Sequence, residues 1–364
     1  MHIVQVLAEL SLGGSQLVAV ELCEHLRAQG HKVTIIAKQG ALSQRVIDTG
    51  AEILDWSVGK KRLKTLRLIK PLRAWFAQHQ VDVVHVHSRL PAWIAWLALR
   101  KLPKRPAFVT SMHGHYSVNR YSAIMARGDK VIAVSEHMRG YTLKHYPPVK
   151  TADVVTIHGG IEHQDFPNNY QPTNDWLQKV NQDFPYTQAK KWLMLPARLT
   201  QWKGHEAFLE MLAVILQQRS DVHGLLVGPA REGSSYQRKL LALIQQLDIA
   251  EHVTLTGAQQ DMRPWYAKAD VVYNLSNNPP EAFGRTVLEA LSIGTPVLAW
   301  DQAGPAEQLD RIYPFGKVAL NQQAPLVEKT LQLLDKPEHV QAFSDFSMQE
   351  SMQATLNVYQ MVAR

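Results

Sequence analysis

Two glutamates, Glu281 and Glu289, stand eight residues apart in the stretch PPEAFGRTVLEALSIGTPV, residues 279–297. Glu281 falls in a Pro- and Gly-rich turn, and Glu289 in the short helix expected over RTVLEALSI, which Gly294 closes. Glu281 thus precedes a helix N-terminus at the carboxyl end of a strand. Glu289 shares a helix face with Arg285, Thr286 and Ser292 rather than with Leu288 and Leu291. That polar stripe suits a bound ligand or plain solvent. A second set is cationic: Arg198 and Lys203 flank a short loop in LPARLTQWKGHEAFLEML, after another apolar run. An arginine fork and a lysine point charge so placed can clamp a diphosphate, and they also suit a solvated loop. A third is the pair Gly13 and Gly14 in AELSLGGSQLVAVELCEHL, between a strand and a helix. Paired glycines let a backbone approach a phosphate at a helix N-terminus. The full G-x-G-x-x-G is missing, so a plain strand-to-helix turn accounts for this pair as well.

The elements that must position these groups follow from the hydrophobic pattern. Strands are expected at 2–7, 32–37, 51–54, 81–86, 107–112, 130–134 and 153–157, with helices between them such as 15–29, 64–79, 90–101 and 135–146. The polar stretch FPNNYQPTNDWLQKVNQDFPY (166–186) breaks the rhythm and reads as a linker. Strands then restart at 192–197, 223–228, 252–257, 270–276, 296–300 and 317–320. The expected organisation is an N-terminal Rossmann-like domain at 1–165, a linker at 166–190, a second Rossmann-like domain at 191–345, and a helix at 346–364 returning to the first. Doubly wound domains bind ligands at the carboxyl ends of their strands, so two of them place a site in the cleft between. A single large Rossmann-type domain is the rival, and the second complete set of strands argues against it.

Composition narrows the class. At 46% hydrophobic and 20% charged, the chain is that of a soluble globular protein, and its one cysteine, Cys23, excludes an intramolecular disulfide. The opening MHIVQVLAEL reads as a strand rather than a signal peptide, and no apolar run reaches membrane-spanning length. A cytoplasmic protein is expected. The net charge of +7 favours anionic partners. Its densest focus is 59–80, GKKRLKTLRLIKPLRAWFAQHQ, with seven Lys and Arg and apolar residues at three- to four-residue spacing. Such a helix suits an anionic membrane face, or a domain helix with a basic outer side. No nucleic-acid-binding motif accompanies the charge, so nucleic acid is not an expected partner.

Strings of residues along nearly the whole chain resemble the retaining glycosyltransferases of family 4, which include lipopolysaccharide-core, sucrose and mannosyl transferases. PEAFGRTVLEALSIGTPV is similar to the family's signature of a Glu, seven residues, then a Glu. ARLTQWKGHEAFL, LTGAQQDMRPWYAKADVVYNLS, DKVIAVSEHMR and the Gly13–Gly14 turn match further family strings in order. The resemblance implies an α/β protein of the GT-B fold, two Rossmann-like doubly wound domains facing across a cleft. It implies a nucleotide-sugar donor, UDP-sugar favoured, and a glycan or lipid-linked acceptor, as in lipopolysaccharide core or other envelope glycan synthesis. Glu281 then holds hydroxyls of the donor sugar and Glu289 those of the ribose. Arg198 and Lys203 bind the diphosphate, which backbone N–H groups of Phe283, Gly284, Arg285, Thr286 and Gly14 cradle. His113 in VTSMHGHYSV matches the family's histidine beside the donor sugar, with His115 as the alternative.

No cofactor or metal is expected, because the two cations supply the charge and no Asp-x-Asp triplet is present. Where the family often has Asn-Gly-Val-Asp, this chain has Gly159, Gly160, Ile161 and Glu162. Rival functions are a nucleotide-sugar epimerase of similar fold and a non-catalytic nucleotide- or glycan-binding homologue. Attachment to the inner face of the cytoplasmic membrane through 59–80 is the expected route to a lipid-linked acceptor.

Overall fold

The computed structural model describes residues 1–147 and 149–363. The chain forms two compact units, Met1–Gly160 with Met348–Arg364, and Ile161–Ser347.

In the first unit the strands are β1 (His2–Glu9), β2 (Lys32–Lys38), β3 (Glu52–Asp55), β4 (Val83–Val86), β5 (Ala107–Met112), β6 (Lys130–Ala133) and β7 (Val154–Thr156). They form one sheet in the order β3-β2-β1-β4-β5-β6-β7, and every pairing is parallel. Runs rich in Val and Ile form these strands because a parallel sheet is covered on both faces. Helix Gly14–Ala28 buries Ala19, Val20, Leu22, Cys23 and Leu26. The C-terminal helix Met348–Val362 belongs to this unit and packs Met352, Leu356 and Tyr359 into the same core. β1 and β4 are neighbours although β2 and β3 intervene in sequence, so the winding reverses between them. That reversal makes a crevice at their carboxyl ends.

The second unit holds β8 (Lys191–Pro196), β9 (Val222–Val227), β10 (Val253–Gly257), β11 (Val271–Asn274), β12 (Val297–Trp300) and β13 (Lys317–Val318). Their order is β10-β9-β8-β11-β12-β13, again parallel throughout, with the reversal between β8 and β11. Leu193 and Leu195 of β8 join one core cluster, while Trp192 and Met194 join another, as alternation across a two-sided sheet requires.

The segment 166–190, expected as a linker, is part of this second unit. Helix Asn174–Asp183 forms there, capped by Thr173, whose hydroxyl accepts from the Trp176 N–H at 3.3 Å. It buries Val180 and sets the Trp176 ring edge-on to Trp265 at 5.3 Å between centroids. The unit boundaries fall at 160/161 and 347/348 instead of 165/166 and 345/346.

The basic segment also departs from one continuous helix. Leu63–Leu68 is a 3-10 helix, followed by the α-helix Ile69–Gln78 with Pro71 in its first turn, where proline is tolerated. Lys60, Lys61, Arg62, Lys64, Arg67 and Lys70 are exposed. Leu63 is 86% and Leu66 49% exposed among them. Arg73 is not part of that surface: its guanidinium donates to the carbonyls of Leu97 and Ala98 at 2.9 and 3.1 Å, closing helix Arg89–Leu99. Among the described residues, no helix is long and apolar enough to cross a membrane.

Candidate functional site

In the second unit the groups picked out by type and spacing gather where the winding reverses. The loop after β8 carries Arg198 and Lys203, and the loop after the adjacent β11 carries Glu281. Gly204 makes their meeting possible. Its φ is +81°, and a Cβ there would lie 2.1 Å from the Leu275 carbonyl oxygen, so a side chain would push the loop off the end of β11. With glycine in place, Lys203 Nζ forms an ion pair with Glu281 Oε2. The two side chains are 14% and 21% exposed. The ammonium also lies 4.1 Å from the centroid of the Trp202 ring. The Glu281 loop is braced on its far side. Ser276 donates to Glu281 Oε2 at 3.4 Å, Gln302 Nε2 to the Ser276 carbonyl at 2.8 Å, and the Gly304 N–H to the Glu281 carbonyl at 3.2 Å.

Helix Arg285–Ile293 starts at Gly284, which adopts φ +91° and supplies no side-chain cap. A helix N-terminus carries the positive end of the helix dipole. One turn on, Glu289 accepts from Tyr266 Oη at 2.8 Å and from Arg285 Nε at 3.2 Å. Burial, then the Glu289 charge, pushes the Tyr266 hydroxyl well above its ordinary pKa, so it stays protonated and donates. The Glu289 side chain is 14% exposed, and Ser292 donates to the Phe166 carbonyl at 2.7 Å. The stripe is therefore not a solvated face. Arg198 is exposed, and its side chain has no partner among the described residues. The structure thus joins Lys203 to Glu281 and Arg285 to Glu289, and leaves Arg198 outside both pairs.

The first unit presents a second cluster at its own reversal. Gly13 and Gly14 open helix Gly14–Ala28 after β1, again without a side-chain cap. A Cβ on Gly14 would meet nothing within 4 Å, and its backbone lies outside the left-handed region. The fold does not need glycine there. Gly14→Ala is accordingly expected to hold or raise the melting temperature, since alanine favours a helix over glycine by about 0.5–1 kcal/mol. It should weaken binding of a nucleoside diphosphate sugar, measured by calorimetry, if a phosphate rests against that backbone. Unchanged affinity would remove Gly14 from the site.

His113, just past β5, faces His87, just past β4: Nε2 to Nδ1 is 2.9 Å. His87 Nε2 meets Gln5 Oε1 of β1 at 3.0 Å, and Gln5 Nε2 donates to the Ala19 carbonyl at 3.0 Å. His85 lies between Tyr359 Oη at 2.6 Å and Ser111 Oγ at 2.7 Å. Burial lowers all three histidines, His113 to about 4, His85 to about 3 and His87 well below its ordinary value. His115 pairs with His137 at 2.8 Å instead. Of the two candidates, His113 is the one built into the switch-point cluster. Reading the sequence missed Gln5, His85 and His87. Their signal was present: polar residues inside the apolar runs HIVQVL and VDVVHV.

Two parallel α/β units of this build define the GT-B class of glycosyltransferases. The Glycosyltransferase Family 4 model matches residues 12–165, and the Glycosyl transferases group 1 model matches 180–348. The chain belongs to the family 4 type of glycosyltransferase. It is 24% identical over 312 residues to N-acetyl-alpha-D-glucosaminyl L-malate synthase of Bacillus anthracis, covering 82% of this chain and 78% of that one. It is similar in structure to a glycosyltransferase from Rickettsia africae ESF-5, with a TM-score of 0.84 at 25% identity over 99% of this chain and 98% of the other. It is also similar to Anabaena Alr3699/HepE, solved in complex with UDP and glucose, with a TM-score of 0.77 at 18% identity over 99% and 97% of the two chains.

Proposed function

We propose that this glycosyltransferase moves a sugar from a nucleoside diphosphate sugar to a glycan or lipid-linked acceptor with retention of anomeric configuration, in lipopolysaccharide core or related envelope glycan synthesis. The observation that carries the reading is the part-buried Lys203–Glu281 pair, set at the reversal between β8 and β11. Breaking the sugar–phosphate bond builds negative charge on the leaving diphosphate. Lys203 and Arg198 neutralise it, and the N–H groups from Phe283 to Thr286 hold its oxygens. Glu281 accepts from donor-sugar hydroxyls, Glu289 from those of the ribose, and His113 contacts a sugar hydroxyl. The leaving phosphate takes the acceptor's proton on the same face of the sugar. No metal takes part, so activity survives a chelator.

A UDP donor is favoured, and the similarity to a protein solved with UDP and glucose supports it. The test is a panel of nucleotide sugars scored by thermal stabilisation, since a ligand that binds only the folded chain raises its melting point. The ligand that stabilises is then incubated with lipopolysaccharide-core acceptors and the anomeric configuration of the product is read by NMR. Interconversion of the nucleotide sugar without an acceptor would make the chain an epimerase. Stabilisation with no turnover on any acceptor would make it a binding protein.

The acceptor proposal extends to the membrane. Six exposed cations of 60–70 surround Leu63 and Leu66, and each near an anionic surface contributes on the order of 1 kcal/mol, screened by salt. Co-sedimentation with liposomes is expected to require anionic lipid, to fall with salt, and to drop when Lys60, Lys61, Arg62 and Lys64 become Gln. Arg73→Gln should act through stability alone, because that side chain closes a helix. Equal binding by wild type and the quadruple variant would sink the membrane route.

A further inference from the structure

The buried hydrogen bonds behind His113 leave little choice about where its proton sits. The Ala19 carbonyl can only accept, so the Gln5 amide must turn its nitrogen to it, at 3.0 Å. That orients Gln5 Oε1 toward His87 Nε2, at 3.0 Å, and an amide oxygen also only accepts. His87 Nε2 therefore carries hydrogen. His87 is 3% exposed, and its ring contacts are Gln5, His113 and the tilted ring of His85 at 4.1 Å between centroids, with no carboxylate among them. The ring is neutral, and its Nδ1 holds a lone pair. His113 Nε2 lies 2.9 Å from that lone pair and must supply the hydrogen between them.

We propose that Gln5 and His87 are positioning residues which lock His113 in the Nε2–H tautomer, so that its Nδ1 is offered as a pure acceptor for one hydroxyl of the bound substrate. The relay runs one way: His113 donates to His87, His87 to Gln5, and Gln5 to the Ala19 carbonyl of helix Gly14–Ala28. A neutral ring so held repels a phosphate or carbonyl oxygen and selects an O–H group. It sorts hydroxyl from phosphate at that point without any charge of its own. The tautomer assignment is independent of the proposed glycosyl transfer, whereas the hydroxyl as ligand rests on that reading.

The experiment is 15N–1H long-range NMR of uniformly 15N-labelled protein, with the His113 ring assigned by its loss in His113→Asn. Wild type should show His113 Nε2 protonated and Nδ1 at the unprotonated shift. His87→Leu and Gln5→Met should move both nitrogens toward the averaged position of a mixed tautomer. His87→Asn should restore the wild-type pattern, because the Asn amide oxygen stands where imidazole Nδ1 stood and accepts from His113. Thermal melts of each variant confirm that the spectra report folded protein, and Gln5→Met tests the relay should His87→Leu fail to fold. A wild-type His113 protonated at Nδ1, or spectra unchanged in both disrupting variants, would overturn the assignment. Adding the nucleotide sugar that the stabilisation panel selects should shift Nδ1 modestly without protonating it, and full protonation there would also overturn it. If no nucleotide sugar binds, the proposed function falls while the tautomer result stands.

Discussion

Lys203→Ala is expected to lower kcat by roughly a hundred- to a thousandfold, with a much smaller change in KM for the nucleotide sugar. The lysine is held where β8 and β11 adjoin, 14% exposed, between the Trp202 ring and Glu281. A charge withdrawn from water acts strongly on a neighbouring leaving group, and that group's charge grows only as the bond breaks. Lys203→Arg should recover little, since a planar fork does not replace a point charge in so close a setting. Glu289→Ala should do the opposite. Tyr266 and Arg285 hold its carboxylate in one orientation, and a ribose contact is the same before and during reaction. Losing one hydrogen-bonded carboxylate should raise KM about tenfold with kcat little changed. Steady-state kinetics on both variants decides. Wild-type behaviour, or the same kcat-to-KM split in both, would refute the division of roles.

What the sequence made legible was whatever repeats locally. Among the described residues thirteen strands fall on the thirteen apolar runs, and for the inner strands burial on both faces of a parallel sheet writes itself into consecutive Val, Leu and Ile. The loops bearing Lys203 and Glu281 were legible for the same reason, each following such a run. Their ion pair was not, because the partners are 78 residues apart and meet only through the β8–β11 reversal. The Tyr266–Glu289 bond, spanning 23 residues, is of the same kind. Helix Asn174–Asp183 was hidden by its polar composition and by the Pro and Asn residues ahead of it, although Trp176, Leu177 and Val180 keep the spacing of one helix face. The 59–80 segment misled in the other direction. Arginine and lysine look alike in a charge count, and only the fold shows Arg73 turned inward to close a neighbouring helix. In the histidine cluster, local apolar neighbours concealed a polar chain that runs across three adjacent strands and their ends, from Gln5 to His113.

That cluster also sets an expected limit on acid stability. His85 is held down to about 3 and His113 to about 4, with His87 well below the ordinary 6.5. Burial without a carboxylate is the cause in each. In the unfolded chain all three bind protons as the pH drops through 6.5, while in the folded unit they stay neutral until His113 titrates at about 4. The unfolded state thus binds more protons in that window, and stability present above pH 6.5 is lost as the pH falls toward the folded values. Three such groups give a slope of about 4 kcal/mol per pH unit near pH 5, against a typical domain stability of about 5–15 kcal/mol. In the second unit, His205 and His223, each lowered to about 4, act in the same direction. Asp221 and Asp261 are lowered from 3.8, so their stabilisation is lost only at more acid pH and does not blur the window. Calorimetric melting between pH 7.5 and 4.5 is therefore expected to show a steep fall below pH 6.5. His85→Gln should remove one titrating group and flatten the slope by roughly one proton's share, about 1.4 kcal/mol per pH unit. A melting temperature constant from pH 7 to pH 5 would mean that the cluster is already open to protons, and neutral histidines held in one hydrogen-bonded direction could not then be part of this fold.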